Sequence, residues 1–349
     1  MGIFNRILMN DETIFKNKDA LDPDYIPKMV PYRESEQQEI AYCIKPLINS
    51  QNGSNVAIFG KPGIGKTLVL KKILEELEDY DINNFYINCW KYNTTFKIYE
   101  RIATKFGFFV TNKDSGEVFN KIQKKMNEKP TLLIFDEVDK ISDYDFLYNF
   151  LENLNKKSII LIANQKDWYI KIDQRIKSRL MPKVLDFNPY TMNQTMDILK
   201  KRSEIAFLDN VINDDIIAKI VNMSWKNEDI RVGVSLLKEV GNVCEANACR
   251  KITNEHLDKV LKITDDIGKK EMPLEDDLKT ILEIIKENDN QKIGDIYQKF
   301  QEKTENDMSY KTFQRRIKKL SDLKRINLEV INGGDQGKTS IISLNKIKE

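Results

Sequence analysis

Residues 60–67 read Gly-Lys-Pro-Gly-Ile-Gly-Lys-Thr, between an apolar run (Val56, Ile58, Phe59) and a helical stretch at 68–77. This is the pattern G-x-x-x-x-G-K-[S/T] in its required setting, with a strand before and a helix after. Gly60, Gly63 and Gly65 let the backbone curl tightly. Successive N–H groups, Ile64 included, then point at phosphate oxygens, and the dipole of the following helix adds to them. Lys66 is suited to the β- and γ-phosphates and Thr67 to a magnesium ion. A glycine-rich turn that binds nothing is the competing reading, and the agreement of pattern with setting outweighs it. The chain is expected to bind a nucleoside triphosphate.

At 349 residues the chain exceeds one compact core, so two or three domains are expected. Lys+Arg number 56 against 54 Asp+Glu, so net charge points neither toward nucleic acid nor away from it. Local patterning has to decide. Cys43, Cys89, Cys244 and Cys249 contain no C-x-x-C pair, and with His256 as the sole histidine they offer no zinc constellation. Idle thiols of a reducing compartment are expected. The apolar stretch at 1–8 is too short for a signal peptide, and Arg6 stands where myristoylation needs Ser or Thr. No run approaches the length of a membrane span. A soluble, cytoplasmic protein with no membrane partner is expected.

A second apolar run, 131–135, ends in Asp136-Glu137-Val138-Asp139. A continuous apolar run reads as a central parallel strand, and carboxylates at its C-terminal end fall where open α/β sheets bind ligands. Asp136 is expected to hold magnesium and Glu137 to polarise the attacking water. A third run, 158–163, ends at Asn164, whose amide either senses the terminal phosphate or makes an ordinary turn. Arg175 and Arg179 follow, ahead of a short strand at 183–187. Each either faces a neighbouring subunit and supplies transition-state charge, or is a solvated arginine.

Together these elements resemble an AAA+ ATPase: an α/β P-loop NTPase core with a parallel sheet, followed by an α-helical lid. The flanks narrow the likeness. Phe15-Lys16-Asn17, Asp24-Tyr25-Ile26-Pro27 and Val30-Pro31-Tyr32-Arg33-Glu34 resemble the N-terminal box of the archaeal replication initiators. These are relatives of the origin recognition complex large subunit and of the cell-division-cycle helicase loader. Phe187-Asn188-Pro189-Tyr190, Ile198 through Arg202, and Ala206-Phe207 are similar to that family's entry into the lid. Glu228-Asp229-Ile230-Arg231 is similar to its lid arginine motif. The resemblance implies ATP/ADP and Mg2+ as cofactors, with residues 63–67 on the phosphates. It also implies Tyr190 and Arg202 lining the nucleotide, and Val30 to Arg33 over the adenine, with Tyr32 where family members usually carry His. Asn164 becomes a first sensor, Arg231 a second, and Arg179 the finger. Arg231 also opens an amphipathic pattern (Val232, Leu236, Leu237, Val240), which frees its guanidinium to leave the core.

The expected divisions are a core at 1–190 with a helical insertion at about 92–127, a lid at 191–265, and a linker with a winged helix at 266–349. Lid helices are expected at 192–206, 214–221, 229–245 and 254–262, then a linker at 264–277 around Gly268 and Pro273. Charge segregates beyond it. Residues 272–308 carry 5 basic and 10 acidic side chains, whereas 309–346 carry 9 basic and 3 acidic. In the basic part, Phe313, Ile317 and Leu320 recur at helical spacing, leaving Lys311, Gln314, Arg315 and Lys318 outward. Two β-rich runs flank Gly333-Gly334-Asp335-Gln336-Gly337-Lys338, a hairpin whose tip carries Lys338. Three helices and a hairpin make a winged helix, which either reads the major groove or only mediates protein contacts. In the insertion, Lys97, Arg101, Lys105 and Lys113 either touch DNA or face solvent.

The resemblance implies an ATP-dependent initiator that recognises double-stranded origin DNA, assembles with itself or related subunits there, and recruits the replicative helicase. Two other readings stay open: a plasmid- or transposon-encoded AAA+ remodeller of DNA, and a transcription regulator with ATP as a slow switch.

Overall fold

The apolar runs that flank the motifs lie side by side. The computed structural model describes residues 13–110, 114–269, 276–304, 308–322, 325–332 and 338–344. They divide into two compact units, Met1–Lys262 and Ile263–Glu349.

In the first unit, β1 (Val56–Phe59), β2 (Asn83–Asn88), β3 (Thr131–Asp136), β4 (Lys157–Ala163) and β5 (Lys183–Asp186) form one sheet. Its order is β2-β3-β4-β1-β5, parallel throughout. Alternation along the central strands feeds two cores. Leu132, Ile134, Ile160 and Ile162 meet Ile40, Ile44, Val69 and Leu70 of α1 (Glu34–Ile48) and α2 (Lys66–Glu76). Leu133, Phe135, Ile159 and Leu161 join the opposite core. There they meet α3 (Thr95–Lys105), α4 (Ser115–Met126), α5 (Asp145–Asn153), α6 (Asp167–Lys171) and α7 (Gln174–Leu180). The C-terminal ends of β1, β3 and β4 thereby open together.

The helices α3 and α4 occupy the stretch read as an insertion. Thr94 and Asp114 cap them, accepting from the backbone N–H of Lys97 and Gly116, and Ile98, Ile102, Phe119 and Ile122 bury one face. The Lys105 ammonium lies 4.9 Å from the Phe85 ring, and the Arg101 guanidinium 5.7 Å from that of Tyr92. Lys113 lies outside the described residues.

The lid comprises α8 (Met192–Ala206), α9 (Asp214–Lys226), α10 (Ile230–Ala246) and α11 (Asn254–Lys269). Thr191 and Gln194 close a capping box on α8. α11 runs through Gly268 into the stretch read as linker, because one glycine costs a helix only about 1 kcal/mol. Residues 270–275, Pro273 among them, lie outside the described residues. His256 is buried in this unit, its Nδ1 accepting the Thr253 N–H at 3.1 Å.

An N-terminal strap binds the lid. Phe15 stacks on Phe207 with centroids 5.0 Å apart, and Glu245 accepts from the Thr13 hydroxyl at 2.5 Å and the Ile14 N–H at 3.1 Å. Gly241 of α10 admits Phe15, since a Cβ there would stand 2.4 Å from the ring.

The second unit holds α12 (Asp276–Glu287), β6 (Gln291–Lys292), α13 (Ile293–Lys303), α14 (Tyr310–Asp322), β7 (Ile326–Asn332) and β8 (Lys338–Leu344). The sheet is antiparallel in the order β6-β8-β7, so the expected hairpin gains a short third strand. Leu278, Ile281, Ile296, Phe300, Phe313, Ile317 and Leu320 form its core. The hairpin tip, 333–337, lies outside the described residues. Among the described residues no helix is long and apolar enough to cross a membrane.

Candidate functional site

β1 leaves the sheet through a loop in which Gly60, Gly63 and Gly65 all have positive φ (151°, 74° and 93°). At Gly63 a side chain would also have to displace Asp229, whose carboxylate oxygen would stand 1.8 Å from a Cβ. α2 starts at Lys66 with no side chain capping it, so its first N–H groups face the loop's concavity.

Lys66 is 7% exposed. Its ammonium donates to Gly60 O at 2.6 Å, Lys61 O at 2.7 Å and Asn164 Oδ1 at 3.1 Å. All three partners are neutral, so the charge is left for an anion. Burial pulls its pKa down to about 8, with Asp136 opposing the fall and Arg231 adding to it.

Asp136, 5% exposed at the end of β3, accepts the Thr67 hydroxyl on Oδ2 at 2.7 Å and the Glu137 N–H on Oδ1 at 2.9 Å. Tyr86 of β2 also donates to Oδ2. Burial and the Asp136 charge push the Tyr86 hydroxyl up, which keeps it a donor. Glu137 has left-handed backbone (φ 57°), a strained conformation for glutamate. Burial first, then Asp136 and Asp139, raise its carboxyl above the usual range, which makes it a better proton acceptor. The oxygen donors of Thr67 and Asp136 suit a hard cation such as Mg2+.

The lid reaches this loop directly. Lys61 pairs with Glu228, and the Ile230 N–H points at Gly63 O at 3.4 Å. Asp229 caps α10, accepting the Arg231 N–H at 2.9 Å, and also holds Arg231 Nε at 3.2 Å. The Tyr190 hydroxyl stands where a Cβ on Gly65 would come within 2.8 Å of it.

The structure therefore brings Gly63, Ile64, Gly65, Lys66, Thr67, Asp136, Glu137, Asn164, Tyr190 and Arg231 together. Four other candidates take structural or surface positions instead. Arg33, 5% exposed, donates to Ile64 O at 3.2 Å and Asn188 O at 2.6 Å, pairs with Glu36 at 2.8 Å, and stacks 4.3 Å from the Tyr190 ring. Its guanidinium staples the loop to the chain leaving β5. Val30 is buried in the core that α1 and α2 share with the sheet. Arg202 donates to Ala20 O at 2.8 Å and Tyr25 O at 3.4 Å, holding the N-terminal strap. Arg179 pairs with Glu152 at 2.6 Å and is 40% exposed. Sequence reasoning missed Tyr86. It stands half-buried on β2, between the buried Phe85 and Ile87.

In the second unit Lys311, Gln314, Arg315 and Lys318 are exposed along α14, while Phe313, Ile317 and Leu320 are buried. Arg316 is tied to Asp277 at 2.8 Å. Lys338 opens β8, and its side chain lies outside those described.

A family model for AAA domains matches residues 49–167, and one for the Cdc6 AAA+ ATPase-type lid domain matches residues 196–262. The ORC1-type DNA replication protein 2 of Methanothermobacter thermautotrophicus is 30% identical over 357 residues, covering 96% of this chain and 93% of that protein. The ORC1-type DNA replication protein of Pyrococcus furiosus is 31% identical over 373 residues, covering 97% and 89%. The Aeropyrum pernix ORC1 protein, solved in complex with DNA, superposes with a TM-score of 0.77 at 26% identity, covering 96% and 94%.

Proposed function

The chain belongs to the ORC1-type DNA replication proteins, and on that premise we propose that it is an origin-binding initiator whose ATP site works as a slow switch. The observation that carries this reading is the joining, in one chain, of a complete phosphate-loop site to a separate unit whose α14 exposes Lys311, Gln314, Arg315 and Lys318.

At the loop, the N–H groups of residues 63–67 and the Lys66 ammonium bind phosphate oxygens. Thr67 and Asp136 hold Mg2+, which when bound neutralises charge on the phosphates. Glu137 takes the proton of the attacking water, and Asn164, already bonded to Lys66, orients that water. Arg231 reports lid position to the phosphates once Asp229 releases it. Arg179, exposed on α7, supplies charge to the site of an adjoining subunit.

On α14, Gln314 and Arg315 are suited to base edges, and Lys311 and Lys318 to the DNA backbone. Lys338 at the wing adds a phosphate contact. A. pernix ORC1 was solved with DNA, which supports the same role here, with recruitment of the replicative helicase to follow at the nucleoid.

A genome-wide map of bound sites, with and without ATP, tests the reading. One or a few sharply occupied loci are expected. Many promoters would favour a transcription regulator, and uniform coverage would overturn sequence-specific binding.

A further inference from the structure

The edge strand β2 lies next to β3, in a register that pairs Tyr86 with Ile134 and Asn88 with Asp136. Side chains two apart on a strand share a face, so Tyr86, Asn88 and Asp136 rise from one side of the sheet. Asn88, directly opposite Asp136, is engaged elsewhere. Its amide oxygen accepts the N–H groups of Trp90 at 3.0 Å and Lys91 at 3.2 Å in the turn that leaves β2. Tyr86 stands two positions before Asn88 on the same face, and its long side chain spans that offset to Asp136. Its hydroxyl reaches Oδ2 of Asp136, the oxygen that also accepts from Thr67. With the Glu137 N–H on Oδ1, three donors hold a nearly buried carboxylate.

We propose that Tyr86 is a positioning residue for the metal-holding pair Thr67 and Asp136, an inference that rests on the nucleotide-site reading above. The three donors are not equivalent. The Thr67 hydroxyl belongs to the phosphate loop itself, and while it donates to Oδ2 its lone pairs stay open to a cation. The Glu137 N–H holds only the other oxygen. Tyr86 comes from a strand outside the phosphate loop, so it aims the carboxylate independently of the loop that carries Thr67. Two effects of its hydroxyl oppose each other. Donation withdraws charge from Oδ2 and weakens it as a ligand, whereas fixing the carboxylate's direction pre-forms the site. Removing such partners of ligating carboxylates typically costs metal affinity about 10–100-fold, so orientation outweighs charge withdrawal.

The test uses Tyr86→Phe in the full chain, with Mn2+ as the probe in the presence of ADP and bound Mn2+ counted by electron paramagnetic resonance. Mn2+ affinity should fall about tenfold, while ADP affinity in EDTA stays within about twofold. Turnover should be lost at low Mg2+ and recovered at high Mg2+, a rescue that damage to the fold would not show. Asn88→Ala alters the same face of the same strand and should leave Mn2+ affinity within about twofold. Equal or tighter Mn2+ binding by Tyr86→Phe overturns the proposal, and so does an equal loss in Asn88→Ala, which would mean a general loosening of β2. A wild type that binds ADP but no Mn2+ fails differently, by removing the metal reading of Thr67 and Asp136 itself.

Discussion

Lys66 and Arg315 are both cations assigned to a ligand, the first to a nucleotide and the second to DNA, yet the molecule holds them in opposite ways. Lys66 is buried, fixed by two loop carbonyls and an amide, and depressed in pKa by its surroundings. Arg315 stands exposed on a helix whose hold on its unit comes from Phe313, Ile317 and Leu320 on the other face. The first site keeps its specificity in backbone geometry, with nearly every polar atom committed. The second keeps it in exposed side chains that the fold does not need. The loop site should therefore fail abruptly on loss of one group, and the helix face should weaken step by step and with salt.

The largest effect expected is at Glu137. Glu137→Gln should cut turnover by about 10²–10⁴-fold while leaving ATP affinity intact. Single-turnover phosphate release set against equilibrium binding measures the split, and full turnover would move the general base elsewhere. Lys66→Ala comes next, with nucleotide affinity lowered about 100-fold through loss of charge-assisted bonds. Its pH signature is sharper still. Lys66 loses its proton above about pH 8, so wild-type nucleotide affinity should decline there by up to about tenfold per pH unit, and Lys66→Ala should show no such decline. Fold stability should move the other way. The unfolded lysine keeps its proton up to about 10.5 and the folded one does not, so between those values the Lys66 contribution to stability rises with pH. Nucleotide titrations and thermal melts across pH 7–10 separate the two trends.

On α14 the effects should be smaller and divisible. Arg315→Ala should narrow the gap between origin and random DNA by about 1–3 kcal/mol. Lys318→Ala should weaken all sequences alike and reduce the salt slope by about one. Binding isotherms at several salt concentrations distinguish them. If Arg315→Ala behaved like Lys318→Ala, the helix would carry charge without readout, and the contrast with the loop would widen.

The same contrast governs what could be read from the chain. Gly63 and Lys66 were legible because a phosphate cradle dictates residue type and spacing. The two faces of α14 were legible because a helix imposes its period on Phe313, Ile317 and Leu320. β2 was not, since Asn-Asn-Phe-Tyr-Ile-Asn is an edge strand with a polar start and only two buried positions. Its contribution, the Tyr86 bond to Asp136, depends on a register that no local pattern states. Arg33 and Arg202 were hard for a related reason. Their partners are backbone carbonyls brought from remote segments, Asn188 O for one and Ala20 O for the other. The family resemblance marked them as notable without saying what they touch.

The strap at residues 13–25 bears on the order in which a ribosome delivers the chain. Thr13 meets Glu245 across 232 residues of sequence, and Phe15 completes its packing only against Phe207 and Gly241. Synthesis runs from the N-terminus, so Ile14, Phe15 and Leu21, all buried in the finished protein, emerge long before the surface that covers them exists. The sheet can assemble once β5 is made, but the strap has to wait for α10. Its apolar side chains are then left to water, or to whatever holds nascent chains, while the rest of the unit is made, and the lid closes its core only when Ile14, Phe15 and Leu21 are retrieved.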